Sequence, residues 1–239
     1  MAQGTHNYVP DTRNESVLID VNGQHFLRAE AKVSVFDSGF MLGDGVWEGI
    51  RLHHGRLAFL DRHLDRLWRG AKAIHMDIGL TREELERRLY AVLDANGMDG
   101  DGVHIRLMVT RGVRSTPYQD PRVVVTPATI VIIPEWKEPA PETATRMLNL
   151  FTVHVRRGYP DVQDPMLNSH SKLNCITACI QAAQAGADEA FTTGTFAGVA
   201  PVGSVDGRVL GSERGPMVER LQRLYLERID ADVRERARP

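Results

Sequence analysis

The sequence has few lysines, four against 25 arginines in 239 residues, and only two cysteines. Cys175 and Cys179 lie four apart, on one face of a helix, a spacing that suits neither the usual zinc patterns nor a disulfide framework. They read as reduced core residues. No run approaches the roughly 18 apolar residues that a membrane span needs, and Met1 to Asn14 is polar, without the apolar stretch of a signal peptide. The expectation is a cytoplasmic protein with no membrane partner, in which the sequon Asn14-Glu15-Ser16 is accidental. Strong charge of either sign is also lacking. A net charge of -2 and a pI near 6.5 give no electrostatic case for nucleic acid. The sequence holds no metal-ligand cluster, internal repeat or low-complexity tract, and His53-His54 is most simply a turn pair.

What remains is ordinary globular material, 42% apolar and 25% charged, enough for a real core in one large domain or two small ones. Val17 to Phe26 is two extended runs around Asn22-Gly23, the dipeptide that best tolerates the positive φ angles of a type I′ turn, so the chain opens with a hairpin. Lys32 to Asp37 alternates like a strand and runs into Gly39, Gly43 and Gly45. Gly43-Asp44-Gly45 lacks the spacing of a phosphate loop and predicts a tight turn. Val46 to Leu60 reads as strand, turn at His54-Gly55, strand. A helix follows over Asp61 to Ile74, with Asp61 as its N-cap and Leu64, Leu67, Trp68 and Ala71 on one face. A second begins at Thr81, where Thr81 and Glu84 make a capping box and Leu80 can staple to Leu85, and it ends at Asn96-Gly97. Strands are expected at His104 to Thr110, Val123 to Ile133 and Arg146 to Val155, the last two divided by Pro134 to Pro141. A final helix from Gly215-Pro216 is expected to bury Met217, Leu221, Leu224 and Leu226, and Arg234 to Pro239 to fray. Strands and helices come in blocks, so the fold class is α+β. The expected division is an N-terminal domain over 1–134, a linker over 135–141 and a C-terminal domain over 142–239.

Lys172 stands apart from the other lysines. Lys32 opens a strand-like run, Lys72 sits in a helical pattern and Lys137 lies in a Pro-flanked loop. Lys172, at a helix start, has around it Asn168, Ser169, His170, Ser171 and Asn174, all able to hydrogen-bond a ligand. A lysine that attacks a carbonyl must be partly deprotonated, which desolvation or a neighbouring cation brings about. Read from this stretch alone, the alternative is an exposed lysine near a helix start.

Four stretches taken together carry more. VFDSGFMLGDGVWEGIR at Val35 to Arg51, the RHLDRL helix at Arg62 to Leu67, Lys172 with GADEA at Gly186 to Ala190, and TGTFAGVAPVGSVDGRVLG at Thr193 to Gly211 come in an order that resembles the class IV, fold type IV pyridoxal-phosphate enzymes. These are the branched-chain aminotransferases, the D-amino-acid aminotransferases and aminodeoxychorismate lyase. The resemblance implies the two-domain architecture of that fold, with pyridoxal 5′-phosphate as cofactor. Lys172 looks like the lysine that forms the internal aldimine and then carries the proton between the substrate α-carbon and the cofactor. Arg66 falls at the arginine on the cofactor phosphate, where a planar guanidinium can bind two oxygens at once. Gly194-Thr195-Phe196 resembles the turn whose hydroxyl and amides hold cofactor phosphate and substrate carboxylate, so Thr195 and Phe196 are cofactor-binding and Thr195 also substrate-binding. Trp47 and Arg106 match pocket positions, and Arg114 a loop position that meets the substrate carboxylate in relatives.

The implied reaction is a ping-pong transamination between an amino acid and a 2-oxo acid. Trp47 and Phe196 favour a hydrophobic or branched-chain substrate, while GDGVWE is also similar to the D-amino-acid group. Two alternatives stand beside it: a lyase of the aminodeoxychorismate type, and a catalytically impaired family remnant acting as a binding subunit. Relatives are commonly homodimers, and the same is expected here. The chain departs from the family pattern where Gly186 to Ala190 is followed at once by Phe191 to Gly198. Relatives interpose a strand-rich block with a carboxylate for the pyridine nitrogen and a Gly-Ile-Thr turn for the phosphate. The C-terminal domain is therefore expected to be shortened, with strand edges and apolar surface exposed and no residue assigned to the pyridine nitrogen.

Overall fold

The computed structural model describes residues 9–156, 158–189 and 195–235. The chain divides into two compact units, one built mainly of Asp11–Trp136 with Pro165–Ser171, the other of Lys137–Asp164 with Lys172–Asp232.

The first unit opens with the expected hairpin. Strands β1 (Leu18–Val21) and β2 (Gln24–Leu27) pair antiparallel around Asn22 and Gly23, whose φ angles of 54° and 86° suit a type I′ turn. Lys32 to Asp37, expected as a strand, is not one. Its end alone is paired among the described residues, Asp37 bridging Val113 and Phe36 O accepting from Arg114 N at 2.9 Å; Val33, Val35 and Phe36 stay exposed, and Ser34 accepts from the Phe36 and Asp37 amides to form a turn. Asp37 then caps a short helix, α1 (Ser38–Leu42), by accepting from Gly39 N at 2.8 Å. Gly43 ends that helix in the left-handed region, the tight turn expected there.

Strands β3 (Gly45–His53) and β4 (Arg56–Leu57) turn at His54-Gly55 as expected. Helix α2 (Leu60–Ala73) follows, but its N-cap is Phe59 and not Asp61. Phe59 turns the chain at φ 53°, and Asp61 lies inside the first turn, where its charge suits the helix dipole. Helix α3 (Arg82–Ala95) has the full capping box: Glu84 N donates to Thr81 Oγ1 at 3.2 Å and Thr81 N to Glu84 Oε2 at 2.7 Å. The Thr81 amide holds the Glu84 carboxyl below its usual range. Thr81→Ala is expected to destabilise the protein by about 1 kcal/mol, read as a lower urea midpoint at unchanged slope.

Strands β5 (Val103–Thr110) and β6 (Thr129–Trp136) complete a six-stranded antiparallel sheet in the order β2-β1-β6-β5-β3-β4. The strand expected from Val123 starts later, because Asp120 caps a 3-10 turn at Pro121–Val123 by accepting from Arg122 N at 2.9 Å. Alternation sends Val46, Glu48, Ile50 and Leu52 of β3, and Val103, Ile105, Leu107 and Val109 of β5, to the face covered by α2 and α3. Leu64, Leu67, Leu85, Leu89 and Leu93 meet them there. Each fully buried Leu or Ile contributes roughly 1.5–3 kcal/mol.

The second unit holds β7 (Leu148–Leu150), α4 (Pro160–Gln163), α5 (Leu173–Gln184), β8 (Val202–Val205), β9 (Arg208–Val209) and α6 (Pro216–Glu235). Its sheet has the order β7-β8-β9, with β7 parallel to β8. Strand β7 stops well short of the expected Val155. Beyond it side chains take over the backbone donors, Asp206 accepting from Thr152 N at 2.6 Å and Gln181 from His154 N at 3.0 Å. Helix α5 leaves Leu173, Ile176 and Ile180 exposed, the apolar surface expected of a shortened domain. Cys175 is half-buried and Cys179 exposed, so Cys179 is not the core residue expected.

Helix α6 also corrects the sequence reading, since Met217, Leu221, Leu224 and Leu226 all face solvent. Within this unit its inner stripe is Val218, Gln222, Tyr225 and Ile229. Gln222 docks the helix by donating to Ala144 O and Val199 O, both at 2.8 Å, and the Tyr225 ring lies against Gly198. The end of the expected frayed tail, 236–239, lies outside the described residues.

Candidate functional site

Glu48 is the inward-facing residue of β3 that breaks an otherwise apolar row, and it is fully buried. Two side chains of α2, three residues apart and so on one face, meet it. His63 Nδ1 lies 2.7 Å from Glu48 Oε2, and Arg66 grips the carboxylate with both nitrogens of one edge, Nε to Oε1 at 2.6 Å and Nη2 to Oε2 at 2.5 Å. A carboxylate only accepts, so the His63 proton sits on Nδ1. The same pairing with Glu48 raises the Arg66 pKa above its ordinary value. Arg66 nonetheless keeps 45% of its side chain exposed. Sequence reasoning singled out Arg66 but missed Glu48 and His63. The signal was a carboxylate at a strand position whose period-2 neighbours are Val46, Ile50 and Leu52.

The opposite face of the sheet brings Trp47 and Arg106 together, the guanidinium carbon lying 3.8 Å from the indole centroid. Gly49, directly across from Arg106 in register, offers no side chain to crowd the pair. Burial lowers the Arg106 pKa, an effect that Glu135 and Glu48 partly offset.

Arg114 sits apart from this pair. Only 1% of its side chain is exposed, and it donates to Tyr118 O at 2.6 Å, Asp120 O at 3.0 Å and Asp44 Oδ2 at 2.9 Å. Asp44 is shared with Arg111, which binds it through two bonds of 2.7 and 3.0 Å.

The residues just before Lys172 add themselves to β3. Strand β4 covers only the Leu52–His53 end of that edge, and Ser169 forms a bridge with Val46 on the rest. Trp47 N donates to Asn168 O at 2.9 Å, Asn168 Nδ2 to Trp47 O at 2.6 Å, and Trp47 Nε1 to Ser169 O at 3.1 Å. His170 closes the strap with N to Gly45 O at 3.0 Å and Nε2 to Val46 O at 3.1 Å. Burial lowers the His170 pKa below its ordinary 6.5, with Arg106 acting in the same sense and Val46 O, Asp37 and Asp44 against it.

The folded ring therefore stays neutral where the unfolded ring takes up a proton. Stability from this site is full above pH 6.5 and is lost as the pH falls through that value towards the lower folded pKa. The urea midpoint is expected to drop between pH 7.5 and 5.5, and His170→Gln to flatten the drop.

In the other unit Lys172 is the half-buried N-cap residue of α5 and makes no side-chain cap bond. Thr195 is half-buried and Phe196 buried, with Lys137 Nζ 5.0 Å from the Phe196 ring. Gly194 lies outside the described residues. Asp188 is held by Arg146 Nη2 at 2.5 Å and Asn149 N at 2.8 Å, so this buried carboxylate is committed to closing β7. Lys172, Thr195 and Phe196 thus belong to one unit, and Trp47, Arg66, Arg106 and Arg114 to the other. Among the described residues no group of three or more His, Cys, Asp or Glu could hold a metal, and no helix is long and apolar enough to cross a membrane.

The family model described as amino-transferase class IV matches residues 45–200. The branched-chain-amino-acid aminotransferase-like protein 2 of Arabidopsis thaliana is 30% identical over 292 aligned positions, covering 93% of this chain and 52% of that protein. Since this chain has only 239 residues, part of that aligned stretch has no counterpart here. A putative branched-chain-amino-acid aminotransferase of Methanocaldococcus jannaschii is 41% identical over 173 residues, 72% of this chain and 58% of that one. The chain spans about half the length of the curated relatives it matches. Among solved structures, a T.th. branched-chain amino acid aminotransferase complexed with N-(5′-phosphopyridoxyl)-L-glutamate superposes with a TM-score of 0.77 at 22% identity, over 91% of this chain and 95% of that one. At that identity the likeness is one of fold.

Proposed function

The chain belongs to the class IV aminotransferase family, and from that premise we propose that it is a pyridoxal-phosphate-dependent aminotransferase acting between an amino acid and a 2-oxo acid. The observation that carries this reading is that the family match over 45–200 includes both Lys172 and Arg66. These supply the two groups the chemistry needs most, an amine for the cofactor aldehyde and a cationic fork for its phosphate.

Each unit, taken by itself, offers groups of the kind that cofactor needs. Arg66 spends one edge on Glu48, and a guanidinium has five N–H groups, so the opposite edge suits a phosphate dianion. Lys172 is half-buried at the start of α5 and offers the amine for the cofactor aldehyde. When bound, pyridoxal phosphate supplies the electron sink that lets a proton leave the amino acid. Lys172 Nζ holds and moves the proton that leaves the α-carbon. Thr195 offers its hydroxyl and amide to phosphate or substrate carboxylate. Trp47 presents an aromatic wall to the substrate side chain, with Arg106 stacked on it as an anion-binding group. That apolar wall, and the branched-chain names of the relatives, favour a hydrophobic or branched-chain amino acid. The state in which it is expected to act is a cytoplasmic homodimer.

A second reading has a specific observation behind it. Asp188 is committed to Arg146 and Asn149, and no described carboxylate is assigned to the pyridine nitrogen, which favours an impaired binding subunit. Visible spectra with added pyridoxal phosphate, before and after an amino donor and then a 2-oxo acid, separate the readings. A protein-dependent cofactor band that the donor bleaches and the 2-oxo acid restores supports transamination. A band that a donor leaves untouched supports the binding subunit, and product formation without a 2-oxo acid supports a lyase.

A further inference from the structure

We propose that Glu48 is a positioning residue that presents the outer edge of Arg66 to the cofactor phosphate, an inference that rests on the reading of Arg66 as the phosphate anchor. Glu48 is fully buried on a strand face that otherwise carries Val46, Ile50 and Leu52. A carboxylate there costs desolvation that an apolar side chain of similar size would not. In return it fixes a long side chain that is 45% exposed. Nε and Nη2 point inward to Oε1 and Oε2, at 2.6 and 2.5 Å, which turns Nη1 and the second Nη2 proton outward in one plane. His63, three residues before Arg66 on α2, donates Nδ1–H to Oε2 at 2.7 Å and keeps the carboxylate from rotating. An unheld arginine loses rotamer freedom when it captures an anion, whereas here that freedom is already lost on folding.

Glu48 also acts in the opposite sense. Its negative charge offsets that of Arg66 and weakens the pull on a dianion. The two effects give Glu48→Gln opposite signs. Where orientation dominates, the amide puts N–H against N–H, releases Arg66 and weakens phosphate binding. Where charge dominates, removing the carboxylate tightens it.

The test is a titration of the full chain with pyridoxal 5′-phosphate and, in parallel, with pyridoxal, which lacks the phosphate. Wild type, Glu48→Gln, Arg66→Ala and the double variant are followed by cofactor absorbance. Glu48→Gln is expected to weaken pyridoxal phosphate about tenfold while leaving pyridoxal unchanged, and to add nothing in the Arg66→Ala background. A general structural role would weaken both ligands and persist in that background, and would overturn the proposal. So would unchanged or tighter binding of the phosphate form. Loss in Arg66→Ala with none in Glu48→Gln overturns the role of Glu48 alone, whereas wild type that binds no pyridoxal phosphate overturns the functional reading with it. Should Glu48→Gln fail to fold by circular dichroism, Glu48→Asp decides. It keeps the charge but shortens the reach, and is expected to weaken the phosphate form selectively; equal affinity for Glu48→Asp and wild type overturns the proposal.

Discussion

Replacing Lys172 by alanine is expected to leave a folded protein that no longer transfers an amino group. Lys172 is the N-cap residue of α5 but makes no side-chain cap bond, so its removal takes no capping bond from the helix. Chemically the loss is twofold. On the proposed reading, the amine for the cofactor aldehyde is gone, and so is the base for the α-proton. General acid–base catalysis alone is worth about 10²–10⁴-fold, and both roles vanish together, so turnover should fall by at least about 10³-fold. Borohydride treatment followed by mass spectrometry gives a readout independent of turnover: wild type should retain cofactor covalently and Lys172→Ala should not. Equal retention in the two would remove Lys172 from the site and the enzyme reading with it.

Arg114→Ala is expected to be felt in stability before it is felt in catalysis. Its side chain is 1% exposed and holds Tyr118 O, Asp120 O and the Asp44 carboxylate together. Alanine takes the Arg114 donor from Tyr118 O, leaves Asp120 O with only the Val123 amide at 3.3 Å, and strips Asp44 of one of its two cations. Breaking a buried pair in this way costs about 3 kcal/mol or more. The urea midpoint should fall accordingly, with the loop from Arg111 to Asp120 becoming the most protease-sensitive part of the unit. An unchanged midpoint together with a raised KM would return Arg114 to the substrate carboxylate.

What the sequence revealed and what it hid follow from how far each signal reaches along the chain. The Asn22-Gly23 hairpin and the Thr81/Glu84 capping box involve neighbours within three residues, and both were legible. Lys32 to Asp37 has the period of a strand, but a strand needs a partner, and periodicity carries no information about partners. The α6 stripe was misread because Met217, Leu221 and Leu224 outweigh Gln222 in any hydrophobic count, whereas Gln222 docks the helix by two hydrogen bonds to backbone carbonyls. Among the candidate residues, Arg66 and Lys172 are singled out for the cofactor only by the family resemblance. Glu48 and His63 are not singled out at all, since their meaning lies in a pairing between β3 and α2 across 15 residues of sequence.

The strap of Asn168 to His170 on β3 bears on how the protein is made. Its bonds to Val46 and Trp47 join residues 121 to 124 apart, and the intervening sheet strands are complete by Trp136. On a ribosome adding about 5–20 residues per second, the strap reaches its place seconds after that sheet can form. Until then the Gly45 to Trp47 edge of β3 is an unpaired template, open to any other extended chain. The nascent protein therefore passes through an interval of heightened vulnerability to mispairing, which ends when its own residues 168–170 take the slot.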